Sequence, residues 1–487
     1  MSERLRILFV SAEVAPFAKV GGLADVAGAL PKALDALGHD VRVIMPRYGR
    51  IDEVKYAIAP LLEEYPVPVE GRSEKAALKS ATIGQGVPVY MVESGKYFAR
   101  EAIYGYPDDG ERFIFFCRAA LETARALDWQ PDIVHCNDWH TAIIPNWLKT
   151  IYDGDHFFAR TASVFTIHNL AYQGIFDPRI LAVAGLGSTG FLQPQLGVGG
   201  GQVDLMSQGI LYADALNTVS ETYAREILTP DFGEGLDSVL RYRKGRLFGI
   251  LNGIDHEQYN PATDPNIAQR YDVSTLDKKV ENRLALQKEC GLKVDAEIPL
   301  IGVVSRLADQ KGFDLLEPII DPLMTELEVQ FVLLGTGDQH YHEVFRRMAE
   351  KYPTKASVFL TFDAALAQRI YAGCDMFLMP SRFEPCGLGQ LIALRYGAIP
   401  IVRSTGGLAD TVDEIQPGGE AGNGFAFTNY NPYALLVAIV RAVETFKHKN
   451  VWRRLMKRAM EADFSWGRSA KKYVELYRKA LEWRLES

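Results

Sequence analysis

The sequence predicts an α/β protein made of two doubly wound halves of similar plan. Short apolar runs alternate with helical patterns along all 487 residues, which is typical of parallel βαβ units. The run Gly-Gly-Leu-Ala-Asp occurs twice, at 21–25 and at 406–410, each time between an apolar run and a helical pattern. A chain of this length is long enough for two large domains. We therefore predict a ligand held between two similar domains.

Six apolar runs of the first half are predicted to be strands. They are apolar on both faces, as expected of strands that helices cover on each side of a sheet. They lie at 7–11, 41–45, 87–92, 133–136, 164–168 and 215–219. Pro31 lies inside the first helical pattern and predicts a kink or a restart there. The stretch 186–201 is rich in Gly and Gln, lacks periodicity and is predicted to be a mobile surface loop.

The second half repeats the alternation after a junction at 245–260 and a highly charged helical pattern at 275–290. Its predicted strands are 300–305, 330–334, 357–360, 376–379 and 399–402, and its predicted helices are 314–327, 340–352, 366–373 and 388–396. The tail, 469–485, carries an apolar stripe at helical spacing. The stripe consists of Tyr473, Leu476, Tyr477, Ala480 and Leu481. Plain core packing and a brace back to the first domain both remain open for it.

Composition excludes several classes of function. The net charge is −8 and no basic block is present, so we expect no nucleic-acid partner. No apolar run reaches the roughly 18 residues of a membrane span, so we expect no membrane partner. The N-terminus enters a predicted strand almost directly, which together with the odd cysteine count predicts a cytoplasmic protein with free thiols. The cysteines are Cys117, Cys136, Cys290, Cys374 and Cys386, without metal-ligand spacing.

The first glycine loop has the features of an anion site. Two glycines allow a sharp turn and close approach to a ligand. The helix that follows directs free N–H groups and the positive end of its dipole at that ligand. Lys19 adds a full positive charge. We predict that this loop binds a phosphate or another anion; for either glycine loop alone, a plain tight turn is the alternative.

Polar sequences follow four predicted strands. In doubly wound sheets ligands bind at the carboxyl ends of strands, so these sequences are predicted to face one rim. They are 137–140, 168–174, 306–312 and 380–388. Arg306 offers a forked grip and Lys311 a point charge, a pair suited to a diphosphate, whereas surface solvation is the alternative.

Carboxylates and histidines at the same strand ends are further candidates. Glu384 suits recognition of hydroxyl groups or support of a developing positive charge, and a helix cap is the alternative. His168 is placed to hydrogen-bond a ligand hydroxyl, although a satisfied core histidine is the ordinary interpretation. Asp138 and His140 carry the same ambiguity.

Other motifs are absent from the sequence. The sequence lacks a GxGxxG with an acidic residue about 20 positions later, which argues against NAD binding. It also lacks GxxxxGK[ST], which argues against a P-loop ATPase. No metal-ligand spacing is convincing. Asp153-Gly154-Asp155 matches the Asp-x-Asp with which some sugar transferases hold a metal and nucleotide, but its setting favours a turn.

Six motifs in order over nearly the whole chain resemble those of bacterial glycogen synthases and plant starch synthases. These are retaining transferases that extend α-1,4-glucans. The motifs are Lys-Val-Gly-Gly-Leu at 19–23, His-Asn-Leu-Ala-Tyr-Gln-Gly at 168–174, Asn-Gly-Ile-Asp at 252–255, Ser-Arg-Leu with Gln-Lys-Gly at 305–312, Pro-Ser-Arg-Phe-Glu-Pro-Cys-Gly-Leu at 380–388 and Ser-Thr-Gly-Gly-Leu-Ala-Asp at 404–410.

The resemblance implies a GT-B fold, with two Rossmann-like domains facing across a cleft. Residues 1–248 would form the acceptor-side domain, 249–462 the donor-side domain, and 463–487 a helix packing back on the first domain. The implied donor is ADP-glucose and the implied acceptor the non-reducing end of a glucan such as glycogen, with no metal or other cofactor. The same fold acting on UDP-glucose or another acceptor is the alternative, and the sequence does not show the oligomeric state.

Motif matching also implies roles for single residues. His168 would hydrogen-bond the transferred glucose and stabilise positive charge at its anomeric carbon, Arg306 and Lys311 would neutralise the diphosphate, and Glu384 would bind glucose hydroxyls. Lys19 would contact the donor and Asp25 a donor or acceptor sugar. The remaining implied substrate-binding residues are Gly21, Gly22, Asp138, Asn169, Asn252, Cys386, Gly387, Leu388, Thr405, Gly406 and Gly407.

One position departs from the wider set of retaining GT-B enzymes. Many carry a second Glu eight positions after the first, where this chain has Ile392. The departure favours the glycogen and starch synthase branch. It also denies the site an obvious second carboxylate, so the paired-acid logic of retaining glycosidases does not transfer directly. A covalent intermediate and same-face attack both remain open.

Overall fold

A computed structural model describes residues 4–186, 190 and 201–486. The chain forms two compact units, Met1–Gly253 together with Trp466–Ser487, and Ile254–Ser465. These boundaries lie a few residues from the predicted ones at 248 and 462. Nearly all of the predicted loop at 186–201 lies outside the described residues. Among the helices in the described part of the chain, none has the length and apolar character needed to cross a membrane.

The first unit is built on a nine-stranded sheet and a small two-stranded one. Its strands are β1 (Arg6–Val10), β2 (Asp40–Pro46), β3 (Ala59–Val69), β4 (Arg72–Ile83), β5 (Val87–Glu93), β6 (Ile133–Asn137), β7 (Ala162–Ile167), β8 (Ile175–Phe176), β9 (Val203–Asp204), β10 (Ala215–Thr218) and β11 (Leu247–Gly249). The large sheet has the order β11-β10-β7-β6-β1-β2-β5-β4-β3. Its pairs are parallel except β3 with β4 and β4 with β5.

In the described residues of this unit, seven α-helices lie between these strands. They are α1 (Gly22–Ala36), α2 (Asp109–Ala126), α3 (Ile143–Leu148), α4 (Ile180–Val183), α5 (Leu205–Tyr212), α6 (Glu221–Glu226) and α7 (Asp237–Tyr242). The predicted restart at Pro31 is wrong, because α1 continues through that residue. All six predicted strands are present, with ends shifted by at most two residues.

The second unit has a six-stranded parallel sheet. Its strands are β12 (Leu300–Val304), β13 (Gln330–Leu334), β14 (Ala356–Phe359), β15 (Met376–Met379), β16 (Ile399–Arg403) and β17 (Phe425–Phe427), in the order β14-β13-β12-β15-β16-β17. Its helices are α8 (Lys279–Glu289), α9 (Phe313–Leu316), α10 (Ile320–Glu326), α11 (Gln339–Lys351), α12 (Ala364–Gly373), α13 (Gly389–Arg395), α14 (Gly406–Thr411), α15 (Pro432–Lys447) and α16 (Lys449–Glu461).

The helix predicted at 314–327 is wrong as a single element. It is divided into α9, a 3₁₀ turn at Glu317–Ile319 and α10. Pro318 and Pro322 explain the division, because proline lacks the N–H that continues a helical ladder and its ring crowds the preceding turn.

The last helix, α17 (Trp466–Glu486), belongs to the first unit. It contacts α1, β7 and β10. Four residues of its apolar stripe are buried at i, i+3, i+4 and i+7: Tyr473, Leu476, Tyr477 and Ala480. The stripe is therefore a core face of that unit.

Candidate active site

Both large sheets have a topological switch point, and the candidate residues lie at these two places. In the first unit β1 lies between β2 and β6, so the chain continues from β1 to a strand on one side of it and later returns to a strand on its other side. In the second unit β12 lies between β13 and β15 in the same way. Ligands of doubly wound folds bind outside the carboxyl ends of strands at such points. Each unit thus presents a half-site at the end of its own sheet.

Lys19 and Asp25 form an ion pair across the first glycine loop. The Lys19 Nζ lies 2.5 Å from the Asp25 Oδ1. Burial raises the pKa of Asp25, and Lys19 acts in the opposite direction. Gly21 is the N-cap of α1 and Gly22 its first residue. The two predicted charged residues are therefore brought together, with one neutralising the other.

Glu13, a buried residue, accepts two backbone N–H groups of this loop. The Oε2 of Glu13 accepts the N–H of Val20 at 2.5 Å and that of Gly21 at 3.1 Å. Its Oε1 accepts the hydroxyl of Tyr104 at 2.6 Å. These two amides, which precede the first residue of α1, are therefore paired within the protein, and an anion site at the first turn of α1 stays a prediction. Glu13 adds a negative charge, so the loop as a whole is less suited to a phosphate than its motif suggests.

His168 follows β7 and is fixed by two residues that follow or end β6. Its N–H donates to the Asp138 Oδ1 at 2.7 Å, and its Nε2 lies 2.9 Å from the Asn137 Oδ1. The Asn137 amide nitrogen donates to Val10, so its oxygen faces the imidazole and Nε2 carries the proton. Burial lowers the pKa of His168 to about 3. The ring is neutral, and Nδ1 can accept a hydrogen bond from a hydroxyl.

Asp138 holds the His168 backbone through its carboxylate. It is buried, and burial raises its pKa to about 7, while the backbone N–H groups of His168 and Asn169 lower it. The Asn169 side chain accepts the N–H of Ala171 and closes a local turn. Asp138 and Asn169 therefore shape the loop that carries His168. His140 is also buried and has a pKa lowered to about 3 by that burial.

Asn252 lies in the last part of the first unit before the chain enters the second. Its side chain is buried, and among the described residues its Oδ1 has no hydrogen-bond partner. A buried carbonyl oxygen in this state has unused capacity to accept a hydrogen bond.

Lys311 and Glu384 meet at the switch point of the second sheet. They are 73 positions apart in the sequence, and the Lys311 Nζ donates to the Glu384 Oε2 at 2.6 Å. The hydroxyl of Ser381 donates to the same oxygen at 3.0 Å. Helix α13 begins five residues after Glu384 and has Leu388 as its N-cap, so the carboxylate is not a helix cap. A positive and a negative group thus lie together at the end of β12 and β15.

The second glycine loop packs against the Glu384 segment. A Cβ on Gly406 would lie 2.0 Å from the Glu384 carbonyl oxygen, and one on Gly407 would lie 2.1 Å from that of Cys386. The Gly407 N–H donates to the carbonyl oxygens of Glu384 and Pro385. The Gly407 N–H is therefore paired within the protein, and both glycines permit close backbone contact.

The remaining predicted residues of the second unit lie at or next to the starts of α13 and α14. Thr405 is the buried N-cap of α14, Cys386 is buried, and Gly387 has a φ of 72°. Leu388 is half-buried at the start of α13. Ile392, at the position of the missing second carboxylate, is buried within α13. These positions shape the segment that carries Glu384.

Residues that were not singled out as site residues also belong to the half-sites. Glu13 and Tyr104 lie outside the predicted rim sequences, whereas Asn137 and Gln310 lie within two of them, 137–140 and 306–312. In the first half-site Tyr104 donates to Glu13, and Asn137 contacts His168. In the second, the Gln310 side chain contacts Arg306 and the carbonyl of Phe383. Glu13 follows a predicted strand, which is the signal that could have found it. Tyr104 lies far from any strand end in the sequence and had no such signal.

The Asp-x-Asp sequence is part of a different environment. Residues 151–154 form turns before β7. Asp155 pairs with Arg125 at 2.6 Å and accepts the N–H of Phe157. The described residues contain no group of three or more His, Cys, Asp or Glu that could hold a metal ion.

Comparison with known proteins identifies the family. The model of the starch synthase catalytic domain matches residues 6–242, and that of glycosyl transferases group 1 matches 291–458. A glycogen synthase of Moorella thermoacetica is 52% identical over 99% of this chain and 98% of its own length. The chain belongs to the glycogen and starch synthase family. A second family member, a glycogen synthase of Desulforudis audaxviator, is 51% identical over 98% of this chain and 97% of its own length.

Solved structures agree with the family assignment. The catalytic domain of starch synthase IV from Arabidopsis thaliana, bound to ADP and acarbose, has a TM-score of 0.92 at 37% identity, covering 99% of this chain and 100% of that one. A sucrose-phosphate synthase from Thermosynechococcus elongatus has a TM-score of 0.62 at 16% identity and shares the fold. The GT-B class is thus confirmed, and this family member is a glycosyltransferase of glycogen and starch synthesis.

Proposed function

We propose that the enzyme transfers glucose from ADP-glucose to the non-reducing end of an α-1,4-glucan with retention of configuration. The observation that carries this proposal is the Lys311–Glu384 pair, 2.6 Å apart, at the switch point of a chain 52% identical to a glycogen synthase. Departure of a diphosphate builds negative charge on the leaving group and positive charge on the sugar. A lysine beside a carboxylate stabilises both charges in the transition state.

The two half-sites divide this work. Arg306 and Lys311 take up the charge of the diphosphate, while Glu384 and the neutral His168 bind sugar hydroxyls. Because Nδ1 of His168 is a hydrogen-bond acceptor and its ring carries no charge, it does not oppose positive charge at the anomeric carbon. We propose that both half-sites act on one donor, and that excluding water directs the glucose to the glucan instead of to hydrolysis.

One observation supports ADP and a glucan as ligands, and a second supports a nucleotide base of either kind. The related starch synthase IV was solved with ADP and acarbose. In this chain, Phe362 follows β14 at the carboxyl edge of the second sheet, and its side chain is 81% exposed. An exposed aromatic ring at that edge is suited to stack on a nucleotide base. Transfer from UDP-glucose or to another acceptor is the second candidate.

The donor assay tests this choice. Glycogen is incubated with radiolabelled ADP-glucose or UDP-glucose, with and without excess EDTA, and incorporation into polymer is measured. We expect extension from ADP-glucose that EDTA does not reduce. Preferential incorporation from UDP-glucose would transfer the proposal to that donor, and loss of activity in EDTA would replace it with a metal-dependent reaction.

Substitution of the cations tests whether the protein is a catalyst and not only a glucan-binding protein. We expect Arg306→Ala and Lys311→Ala each to lower kcat by about 10²- to 10³-fold, going by the effect of removing one charge-stabilising contact. Lys447→Ala is the matched control, since Lys447 pairs with Glu444 on an exposed helix face. Unchanged turnover in both site variants would refute the assigned roles.

A further inference from the structure

The segment that carries Arg306 and Lys311 is tied to the segment that carries Glu384. The Gln310 carbonyl oxygen accepts the N–H of Arg382 at 2.9 Å. A Cβ on Gly312 would lie 2.0 Å from the Pro380 carbonyl oxygen, so the two backbones touch there. Together with the Lys311–Glu384 ion pair, these contacts fix the position of a short 3₁₀ turn, Asp309–Lys311, against the end of β15.

The side chain of Gln310 bridges the same two segments. Its Oε1 accepts from the Arg306 Nη2 at 3.2 Å, and its Nε2 donates to the Phe383 carbonyl oxygen at 3.4 Å. A primary amide can accept and donate at once, whereas a carboxylate of the same shape can only accept. The donor half of the amide anchors the side chain, and the acceptor half is thereby directed at the guanidinium.

Arg306 is exposed just after β12, and the long side chain of an exposed arginine has many accessible rotamers. A guanidinium acts on a diphosphate through a planar fork, so its orientation matters as well as its charge. An acceptor held between the two segments by backbone and side-chain contacts restricts that orientation before the substrate arrives.

We propose that Gln310 is a positioning residue that orients the Arg306 guanidinium for the departing diphosphate. The proposal rests on the role proposed above for Arg306. Gln310 acts through Arg306 and not on the substrate. Its effect on turnover therefore depends on the presence of the arginine, which a merely structural role for Gln310 does not require.

A double-mutant cycle tests this dependence. The wild type, Gln310→Met, Arg306→Ala and the double variant are compared in kcat and KM for the donor, with thermal unfolding measured for each. Met keeps the length of the side chain but neither donates nor accepts like the amide. We expect Gln310→Met to lower kcat about 10- to 100-fold in the wild-type background, the range of a misplaced catalytic group. In the Arg306→Ala background we expect less than about a twofold further change, because the residue it orients is gone.

The outcomes separate the two proposals. Full activity of Arg306→Ala would overturn the role of Arg306 itself. An impaired Arg306→Ala with independent, multiplicative effects in the double variant would overturn only the positioning role of Gln310, as would unchanged activity of Gln310→Met. Gln416→Met, at an exposed glutamine in a turn region, is the control for the chemical change. If Gln310→Met does not fold, the same cycle is run with Gln310→Ala.

Discussion

Glu13 accepts the N–H groups of Val20 and Gly21, the two residues that precede the first residue of α1. Glu13 lies three residues after the end of β1 and is buried, so its side chain is held in place. The second glycine loop is also satisfied internally, through the Gly407 N–H. Both loops match an anion-binding motif by sequence, and in both at least one glycine N–H is paired within the protein.

The two loops need their glycines for different reasons, which gives a stability prediction. A Cβ at Gly407 would meet the carbonyl oxygen of Cys386 at 2.1 Å and its Cα at 2.5 Å, whereas one at Gly21 meets nothing within 4 Å. We expect Gly407→Ala to destabilise the protein by about 1–3 kcal/mol, because backbone has to move. Gly21→Ala should cost less than about 1 kcal/mol, the difference between Gly and Ala at an N-cap.

Urea unfolding of both variants and the wild type measures these costs. Equal destabilisation by the two substitutions would contradict the assignment of Gly407 to backbone packing and of Gly21 to an open position. The measurement concerns stability alone, so it is independent of any role of the Gly21 loop in binding.

Site residues were predictable where they follow the end of a predicted strand. Contacts between residues that lie far apart in the sequence were not predictable. Arg306, Lys311, Glu384 and His168 follow predicted strands, and each lies at the carboxyl edge of its own sheet. The pairing of Lys311 with Glu384 joins residues 73 positions apart, and no local pattern encodes it. The same holds for Tyr104 and Glu13, which are 91 positions apart.

Among the elements, α17 is anchored to the first sheet by a chain of buried hydrogen bonds. The Tyr477 hydroxyl lies 2.8 Å from the His135 Nδ1, and the His135 Nε2 lies 2.6 Å from the Thr166 Oγ1. Thr166 in turn donates to the Asn217 Oδ1, so it accepts from Nε2–H and leaves Nδ1 to accept from Tyr477. The Asn217 amide donates to Tyr473. The network requires a neutral His135.

This requirement predicts how stability depends on pH. Burial lowers the pKa of His135 to about 3, against about 6.5 in an unfolded chain. Between about pH 6.5 and pH 3, His135 is protonated in the unfolded state but not in the native state. This difference lowers the free energy of unfolding as the pH falls through that range, and it has no effect above pH 6.5. At pH 5 the cost is about 2 kcal/mol, 1.36 kcal/mol for each pH unit below 6.5.

His135→Gln removes that proton and tests the argument. We expect the variant to be less stable than the wild type at pH 8, because the network loses its geometry, but to lose about 2 kcal/mol less between pH 8 and pH 5. Urea titrations at the two pH values measure the difference. A variant as acid-sensitive as the wild type would show that His135 titrates normally in the native state.

Most strands were predictable because strands of a doubly wound sheet are apolar on both faces. The antiparallel strands β3 and β4 were missed for the opposite reason. β3 contains three prolines and two consecutive glutamates, and its first half is largely exposed. Its pattern is that of an edge strand, which carries polar residues and proline where no further strand pairs with it. The strands were recognised by continuous apolar runs, which indicate burial on both faces, so a polar edge strand was not recognised.

At the scale of the whole molecule, the described residues form two large hydrophobic cores and a small cluster of Val402, Leu408 and Val412. One core includes residues of the nine-stranded sheet and of α17, and the other residues of the six-stranded sheet with α15 and α16. The similarity of plan between the halves was predictable from the alternation of strands and helices. The return of the tail to the first unit was implied by family resemblance, because an amphipathic stripe does not specify which core it completes.

The two units should differ in their ability to fold alone, and the reason lies in how each is closed. The second unit is one continuous segment whose ends meet: the N–H of Ile254 donates to the Phe464 carbonyl at 2.9 Å. The first unit is interrupted, and without α17 it would leave His135 and Asn217 without their tyrosine partners. Unpaired polar groups in an apolar core cost about 1–3 kcal/mol each, beyond the apolar area that α17 covers.

We therefore expect a fragment of residues 254–465 to unfold cooperatively in urea with a native-like circular dichroism spectrum. A fragment of residues 1–253 should lack a cooperative transition, and adding a peptide of residues 466–486 should restore one at saturating concentration, since binding only the folded form shifts the equilibrium toward it. A peptide with Tyr473 and Tyr477 both changed to Ala is the control and should restore much less. Cooperative folding of 1–253 without any peptide would mean that its core is complete before α17 docks, and the helix would then be an addition to the first unit instead of a part of it.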